Sequence, residues 1–347
     1  MNNTASPGGS RKISYKYMLV QNRIETKPAY VAECSISYDS DAEIKRTARF
    51  TLHPAGIDFL RDEIRVYMIV NDAEYCLGTF ILATPTVNEN TGNALADVEA
   101  YDSTIILQED CFTEPKFYAA GTRYDVIFAD ILASAGVESI IPTITDELPA
   151  DREFEIGTSK LSALNEMLDE INYNPIIADE YGNIIISKYV EPSAKTATKE
   201  YTAGAGSVIS SEIISEIDYY SIPNIFIARC DNPDIDTILY SKYVNDNPGS
   251  KLSTVARGRN IVSELYTPDY TTSQEMLDEY IRRKAYESSL VFDKIQITTA
   301  NMPGHGYRDI IRVENGNISG IYVERTWQMD LSVGALMSHS LVGVISL

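Results

Sequence analysis

The first hundred residues alternate apolar and polar positions with the two-residue period of half-buried strands. Across residues 44–52, Ala48, Phe50 and Leu52 alternate with Thr47, Arg49 and Thr51, which puts one set on a core and the other on an open face. The apolar runs 65–70 and 75–83 flank the polar turn Asn71-Asp72-Ala73, and Thr84-Pro85 predicts a stop. Asn90-Thr91-Gly92-Asn93 predicts another turn and residues 96–103 the next strand.

Near Glu114 the period lengthens to that of helices. Thr122-x-x-Asp125 reads as a helix start, Ile127, Ile131 and Ala135 share a face, and Gly136 suits a left-handed C-terminal cap. A second helix is predicted from Thr158 or Ser159, with Leu161, Leu164, Met167, Leu168 and Ile171 on one stripe and Asn174-Pro175 beyond its end. Residues 179–187 read as a hairpin. The segment 191–200 holds Pro, Ser, Ala, Thr and Lys without a large aliphatic and reads as a linker. Strands then resume, interrupted by one helix whose capping box is Thr272-x-x-Glu275 and whose buried face is Met276, Leu277, Tyr280, Ile281 and Ala285. The strands 291–298, 309–314 and 318–327 follow, the last two joined by Glu314-Asn315-Gly316-Asn317. The order is β, α/β, β, and 23 tyrosines suit broad half-buried sheets.

Composition narrows the function. With 347 residues, two or three domains are expected. Apolar residues make up 44% but form no run long enough for a membrane-spanning helix, and residues 1–12 lack the apolar stretch of a secretory signal. Fifty acidic against 29 basic residues give a net charge of −21, which opposes a stable grip on a phosphate backbone. It suits solubility, or a surface past which DNA slides without sticking.

Candidate chemistry is sparse. Cys34, Cys76, Cys111 and Cys230 form no CxxC pair and read as buried free thiols. His53, His305 and His339 are scattered singly, with no HExxH and no GxSxG elbow elsewhere. Gly204-Ala205-Gly206 and Gly304-His305-Gly306 read as turns, and Asp231, Asp234 and Asp236 as a solvated loop without the glycine and final glutamate of an EF-hand. Glu166, Asp169 and Glu170 are spaced to meet on one helix, where a glycosidase pair is one reading and a wet helix face the other. Trp327 reads as a core or interface anchor. No catalytic residue, cofactor or metal is expected; the rivals to a structural role are a peptidoglycan hydrolase and a carbohydrate-binding module.

The stretch from Tyr75 through Gly78 and Phe80 to Leu82, then Thr84-Pro85, then Ala100-Tyr101-Asp102 with Leu107 and Asp110 downstream, resembles the first barrel of phage baseplate hub proteins. These are the trimeric hubs of contractile tails and the tail-associated proteins of long non-contractile tails. Ala120-Gly121-Thr122, the run from Phe154 through Gly157 to Leu161, Ile171-Asn172-Tyr173-Asn174-Pro175 and the run from Asp179 to Asn183 look like that family's inserted α/β region. The resemblance implies an α+β, predominantly β fold with two tube-like β-barrel domains and an inserted small α/β domain. Its bounds would be a flexible arm at 1–12, a first barrel at 13–113, the α/β domain at 114–190, a linker at 191–200, and a second barrel at 201–347 with a helix near 272–290.

By the same resemblance the chain is a homotrimeric adaptor at the distal end of a virion tail, assembled in the host cytoplasm. It would join the six-fold tail tube or distal ring to a three-fold spike or fibre, with DNA only in transit and no membrane insertion. Lysis and receptor binding would fall to other subunits.

Overall fold

A computed structural model describes residues 11–88, 94–204, 206–218, 220–231, 237–268 and 273–344. The arm at 1–12 and the turn at 90–93 fall largely or wholly outside them. The N-terminal segment is a run of seven strands: β1 (Ile13–Gln21), β2 (Ile24–Pro28), β3 (Val31–Asp39), β4 (Arg46–Leu52), β5 (Glu63–Val70), β6 (Ala73–Asn88) and β7 (Leu95–Tyr101). All neighbours are antiparallel, in the order β3-β4-β7-β6-β5-β1-β2. Ala48, Phe50 and Leu52 are buried, as their alternation requires. Asn71 and Asp72 take φ of 48° and 69°, the left-handed pair of a tight hairpin turn that matches the twist of its strands. The expected stop at Thr84-Pro85 does not occur. The β6–β7 ladder shifts register between Leu82 and Pro85, and this bulge absorbs the proline's missing donor, so the strand continues to Asn88.

A small α/β unit follows: α1 (Thr104–Glu109), β8 (Lys116–Tyr118), α2 (Tyr124–Ser134), β9 (Ser139–Ile140), β10 (Arg152–Phe154), α3 (Lys160–Glu170), β11 (Ile177–Ala178) and β12 (Ile184–Ile185). Leu107 and Phe112 belong to its core, so the change of character comes at Thr104 rather than Glu114. The start of α2 also differs. Its N-cap is Arg123, the Thr122 hydroxyl donates to the Ala119 carbonyl, and Asp125 accepts from Ile144 N. α3 follows expectation: Ser159 Oγ accepts from Ser162 N at 3.1 Å, and Leu161, Leu164, Met167 and Leu168 are fully buried. β11 and β12 form the expected hairpin.

The rest of the chain holds β13 (Lys199–Thr202), β14 (Ile209–Ile217), β15 (Ile225–Cys230), β16 (Leu239–Val244), α4 (Thr254–Arg257), β17 (Val262–Tyr266), α5 (Gln274–Ser289), β18 (Asp293–Ala300), β19 (Ile310–Asn315), β20 (Ile318–Asp330) and β21 (Leu336–Gly343). Residues 199–202, inside or just past the expected linker, pair in parallel with β19. β15, β16 and β17 make a separate three-stranded sheet, and Phe226, Ala228 and Cys230 on it pack against Leu277, Ile281 and Ala285 of α5. This is a second small α/β unit, where the sequence pattern predicts a lone helix between strands. Thr272 of the capping box lies outside the described residues; Ser273 Oγ caps α5, accepting from Met276 N at 3.2 Å.

β20 joins everything. Its first half pairs with β19, and its second half turns to β3, setting Thr326–Asp330 against Ser35–Asp39. Trp327 stacks on Tyr38 across this seam, ring centroids 5.6 Å apart. The two β-rich segments are therefore one 13-stranded sheet. It curls toward itself: Asn301 Nδ2 donates to the Tyr15 hydroxyl of β1 at 2.8 Å and to the Asp330 carbonyl of β20 at 2.7 Å. Among the described residues no ladder closes the curl into a barrel. The fold is predominantly β.

Candidate functional site: an open polar face and the joints behind it

The curled sheet buries one face and leaves broad tracts of the other uncovered. Alternation decides which residues stand there: where Cys34, Ile36 and Phe50 point inward, Ser35, Ser37, Arg49 and Thr51 point out. Two grooves mark this face. One, of about 790 Å³, is lined by Ser37, Thr47, Gln296, Thr326, Gln328 and Ser338 among others. The second, of about 1090 Å³, includes Ser35, Thr51, Thr84, Asp97, Glu99 and Asp330. Short hydroxyl and amide side chains dominate, with scattered carboxylates. Arg49 stands 3.2 Å from Glu99, and Lys45 at the rim is buried and donates to the Ala42 carbonyl. The surface offers hydrogen bonds beside apolar area such as the exposed Ile214 and Leu336, and no cluster of free cations among its described lining residues.

The motif residues do not converge on this face; they build the joints that hold it. Gly78 is required by Phe80: a Cβ there would lie 2.6 Å from the ring of Phe80, which is fully buried and meets Phe50 edge-on. Pro85 sits at the β6 bulge. Tyr101 ends β7, half-buried in the second groove. Asp102 is buried where the sheet gives way to α1, and its carboxylate accepts from Arg46 N at 2.9 Å, from Thr104 N at 2.9 Å and from the Thr104 hydroxyl. Gly157 holds φ of 89° before α3, and its N–H donates to the Phe112 carbonyl.

Asn172 takes φ of 61° after α3 and reaches the second α/β unit, accepting from Arg283 Nη1 and donating to Glu279, both at 3.3 Å. Tyr173 is buried in the unit's core; Asn174 donates to Ser187 Oγ and the Lys188 carbonyl, with Pro175 half-buried beside it. The hairpin at 179–182 docks on the large sheet, where Glu180 meets Arg46 at 3.1 Å and its carbonyl accepts from Thr79 Oγ1 at 2.9 Å.

Glu166 and Asp169 of α3 are on a wet face, as the helix pattern expects, whereas Glu170 is largely covered, and all three are tethered by cations. Arg152, almost fully buried, reaches Glu166 at 2.8 Å and Glu170 at 2.6 Å, and the Tyr124 hydroxyl donates to the other Glu170 oxygen. Burial pushes the Glu170 carboxyl up, against the pull of Arg152. Asp169 faces Arg283 and Lys284 of α5, each at 3.3 Å. From there ion pairs run through Glu287 to Arg308 at 3.0 Å, and from Arg308 and Arg325 to Asp41 in the β3–β4 loop. Burial would raise the Glu287 carboxyl, yet Arg308 and Arg283 outweigh it and hold it below the ordinary range.

None of the four cysteines is in a disulfide; Cys34 and Cys230 are buried and Cys76 and Cys111 half-buried. Asp231 pairs with Arg229, while Asp234 and Asp236 lie outside the described residues. Sequence spacing misses one cluster: His305 and His339 both grip Glu324, at 2.7 and 2.6 Å, in the buried layer beside Trp327. These are the one set of metal-ligating side chains gathered together among the described residues. The signal available was His339 at an inward strand position between Met337 and Leu341, where a polar ring needs a buried partner.

No protein-family model and no curated protein matches the chain. Solved structures do. A tail protein from Neisseria meningitidis MC58 is similar at a TM-score of 0.69 and 11% identity, covering 95% of this chain and 96% of that one. The 43 kDa tail protein of prophage MuSo2 from Shewanella oneidensis is similar at 0.69 and 12%, covering 95% and 98%. The E. coli c3393 protein, a component of the type VI secretion system with structural similarity to T4 bacteriophage tail proteins gp27 and gp5, is similar at 0.51 and 10%, covering 94% and 77%. Along nearly its whole length the chain has the fold of phage tail proteins.

Proposed function

We propose that this chain is a structural subunit of a phage or phage-like tail, a homotrimeric hub at the distal end that joins the six-fold tail tube to a three-fold spike or fibre. The observation that carries the reading is the single curled sheet with its open polar face. Two β-rich segments per chain give six in a trimer, and among the described residues the sheet ends in three strands, β2, β13 and β14, whose unpaired edges call for neighbours. The open face then lines the channel. Its hydroxyls, amides and carboxylates let a duplex pass without the clustered Lys and Arg that would hold phosphates. The small α/β units stand outside the ring. The whole-chain likeness to tail proteins supports this reading.

The hydrolase reading is weaker, because Glu166 and Glu170 share Arg152 and neither lines the grooves described above. Electron microscopy of the assembled particle tests the hub. Three copies with the Ser37–Gln328 face turned inward are expected; six copies in a six-fold ring, or rings of Lys and Arg along the channel, would overturn it.

A further inference from the structure

The three-stranded sheet β16-β15-β17 has two faces, and α5 covers one. Phe226, Ala228 and Cys230 pack on that helix, and the Ser241 hydroxyl of β16 donates to Asp278 of α5. Alternation turns Ile227 and Lys242 the other way, with Leu265 of β17 beside Ile227 in the ladder. On this uncovered side Tyr240, Val262 and Leu265 are each half or more exposed. Cations border it: residues 237–268 hold Lys242, Lys251, Arg257 and Arg259 against Asp246 and Glu264, in a chain whose net charge is −21. Arg257 and Arg259 stand where β15 begins. Arg257 Nη1 donates to the Ile222 carbonyl, and the Arg259 carbonyl accepts from Asn224 Nδ2. Lys242 is exposed and makes no ion pair among the described residues.

The first α/β unit carries the opposite kind of surface. In the ribbon β8–β10, Tyr118, Arg152 and Phe154 face the core, so Phe117 and its ladder partner Glu153 face water. Phe117, and Ile156 just beyond β10, are each more than half exposed. Glu114, Glu153 and Glu155 stand exposed among them. Lys116, the ribbon's own lysine, is taken by Asp130 at 2.8 Å. Each unit therefore shows an exposed apolar patch with charge of one sign around it, the composition of a contact surface, and within the chain neither patch is used.

We propose that the β8–β10 ribbon of one copy docks on the open face of the β15–β17 sheet of the next. Phe117 and Ile156 lie against Val262, Leu265 and Tyr240, and Glu153 and Glu155 turn toward Lys242 and Arg259. The contact rests on the homotrimer reading and adds to it an outer collar that holds the copies in register. A second copy is the occupant the surfaces single out, because the open face calls for an apolar partner of negative charge and the chain's other small unit supplies both. The face does not suit a two-fold contact with itself, which would set Lys242 and Arg259 against their own kind. Two unlike patches on one chain give a head-to-tail contact, and such a contact closes into a ring when its rotation returns to the start.

Charge reversal on the full chain tests the collar. Lys242→Glu with Arg259→Glu, and separately Glu153→Lys with Glu155→Lys, should each weaken self-association in sedimentation velocity by about tenfold or more, and the chain with all four changes should recover most of the loss. All four positions are exposed, and circular dichroism checks that each variant is folded. Phe117→Ser, which leaves the charges alone, should weaken association as well. A trimer that neither reversal nor Phe117→Ser weakens, or four changes that fail to restore what two removed, would overturn the collar and leave the hub standing. So would a parent chain that stays monomeric at every concentration. A copy number other than three in the assembled particle would instead overturn the hub itself.

Discussion

The two small α/β units share a local plan and differ in what supports it. Each sets a serine-capped amphipathic helix against short strands, with cap hydrogen bonds of 3.1 and 3.2 Å. The unit around α3 gathers 21 buried apolar residues in one cluster, whereas that around α5 gathers six among the described residues. Their charge differs as well: residues 104–190 hold 16 acidic and 5 basic side chains, residues 222–290 hold 10 and 8. The first unit is a core that can stand by its own packing. The second leans on its neighbours, with Arg283 and Lys284 clasping Asp169 of the acidic unit. Local signals build either helix; the size of the shared core decides which unit is self-sufficient.

Truncating one core leucine in each unit breaks the comparison most directly. Leu164→Ala should cost about 3–5 kcal/mol and Leu277→Ala about 2–3, both sites being fully buried but the smaller cluster freer to collapse. Denaturant unfolding gives the losses and hydrogen exchange their location. Leu277→Ala should loosen residues 222–289 while the large sheet stays protected, and equal losses spread over the whole chain would contradict the difference in autonomy.

The joint between the units comes next. Arg283→Met should cost about 2 kcal/mol, less than the roughly 3–5 of a fully buried pair, because the Asp169 side chain is 40% exposed. The same joint responds to acid. Glu287 is held below its unfolded value, so its stabilisation is present above about pH 4.3 and fades as pH falls through the folded value. Stability followed from pH 6 to pH 3 should fall less steeply in Arg283→Met than in the parent chain; parallel curves would remove Arg283 from the cause.

The smallest effect sharpens what the units have in common. Ser159→Ala and Ser273→Ala should each cost about 1 kcal/mol, since each removes one cap acceptor of the same geometry. A twofold or larger disparity in thermal unfolding would show that the caps, and not the cores alone, distinguish the units.

What was legible in the sequence follows the same division between local and distant causes. The stripe of α3, its start at Thr158 or Ser159, the inward alternation of β4 and a hairpin at 179–187 are written within a few residues; Ser159 is the cap that forms, and the hairpin forms with its paired strands at 177–178 and 184–185. α1 spans six residues, too short for a period to show. Thr122 has the right side chain for a cap but spends its hydroxyl on Ala119. Pro85 signals a stop that a bulge cancels. The second α/β unit was read as one helix because its strands are short and paired across long loops. The seam between β3 and β20, and the meeting of His305 with His339 on Glu324, depend on residues far apart in the chain. Most of the motif residues quoted for the family resemblance lie at joints between elements, while Tyr101 lines the second groove.

The seam has a consequence for biosynthesis. On the ribosome β3 appears before its partner, the stretch Thr326–Asp330, so the N-terminal strands must wait with an open sheet edge until that distant stretch has been made. Pairings of such long range close slowly and leave the waiting edge prone to wrong partners. The large sheet is therefore finished only after the stretch Thr326–Asp330 has been made.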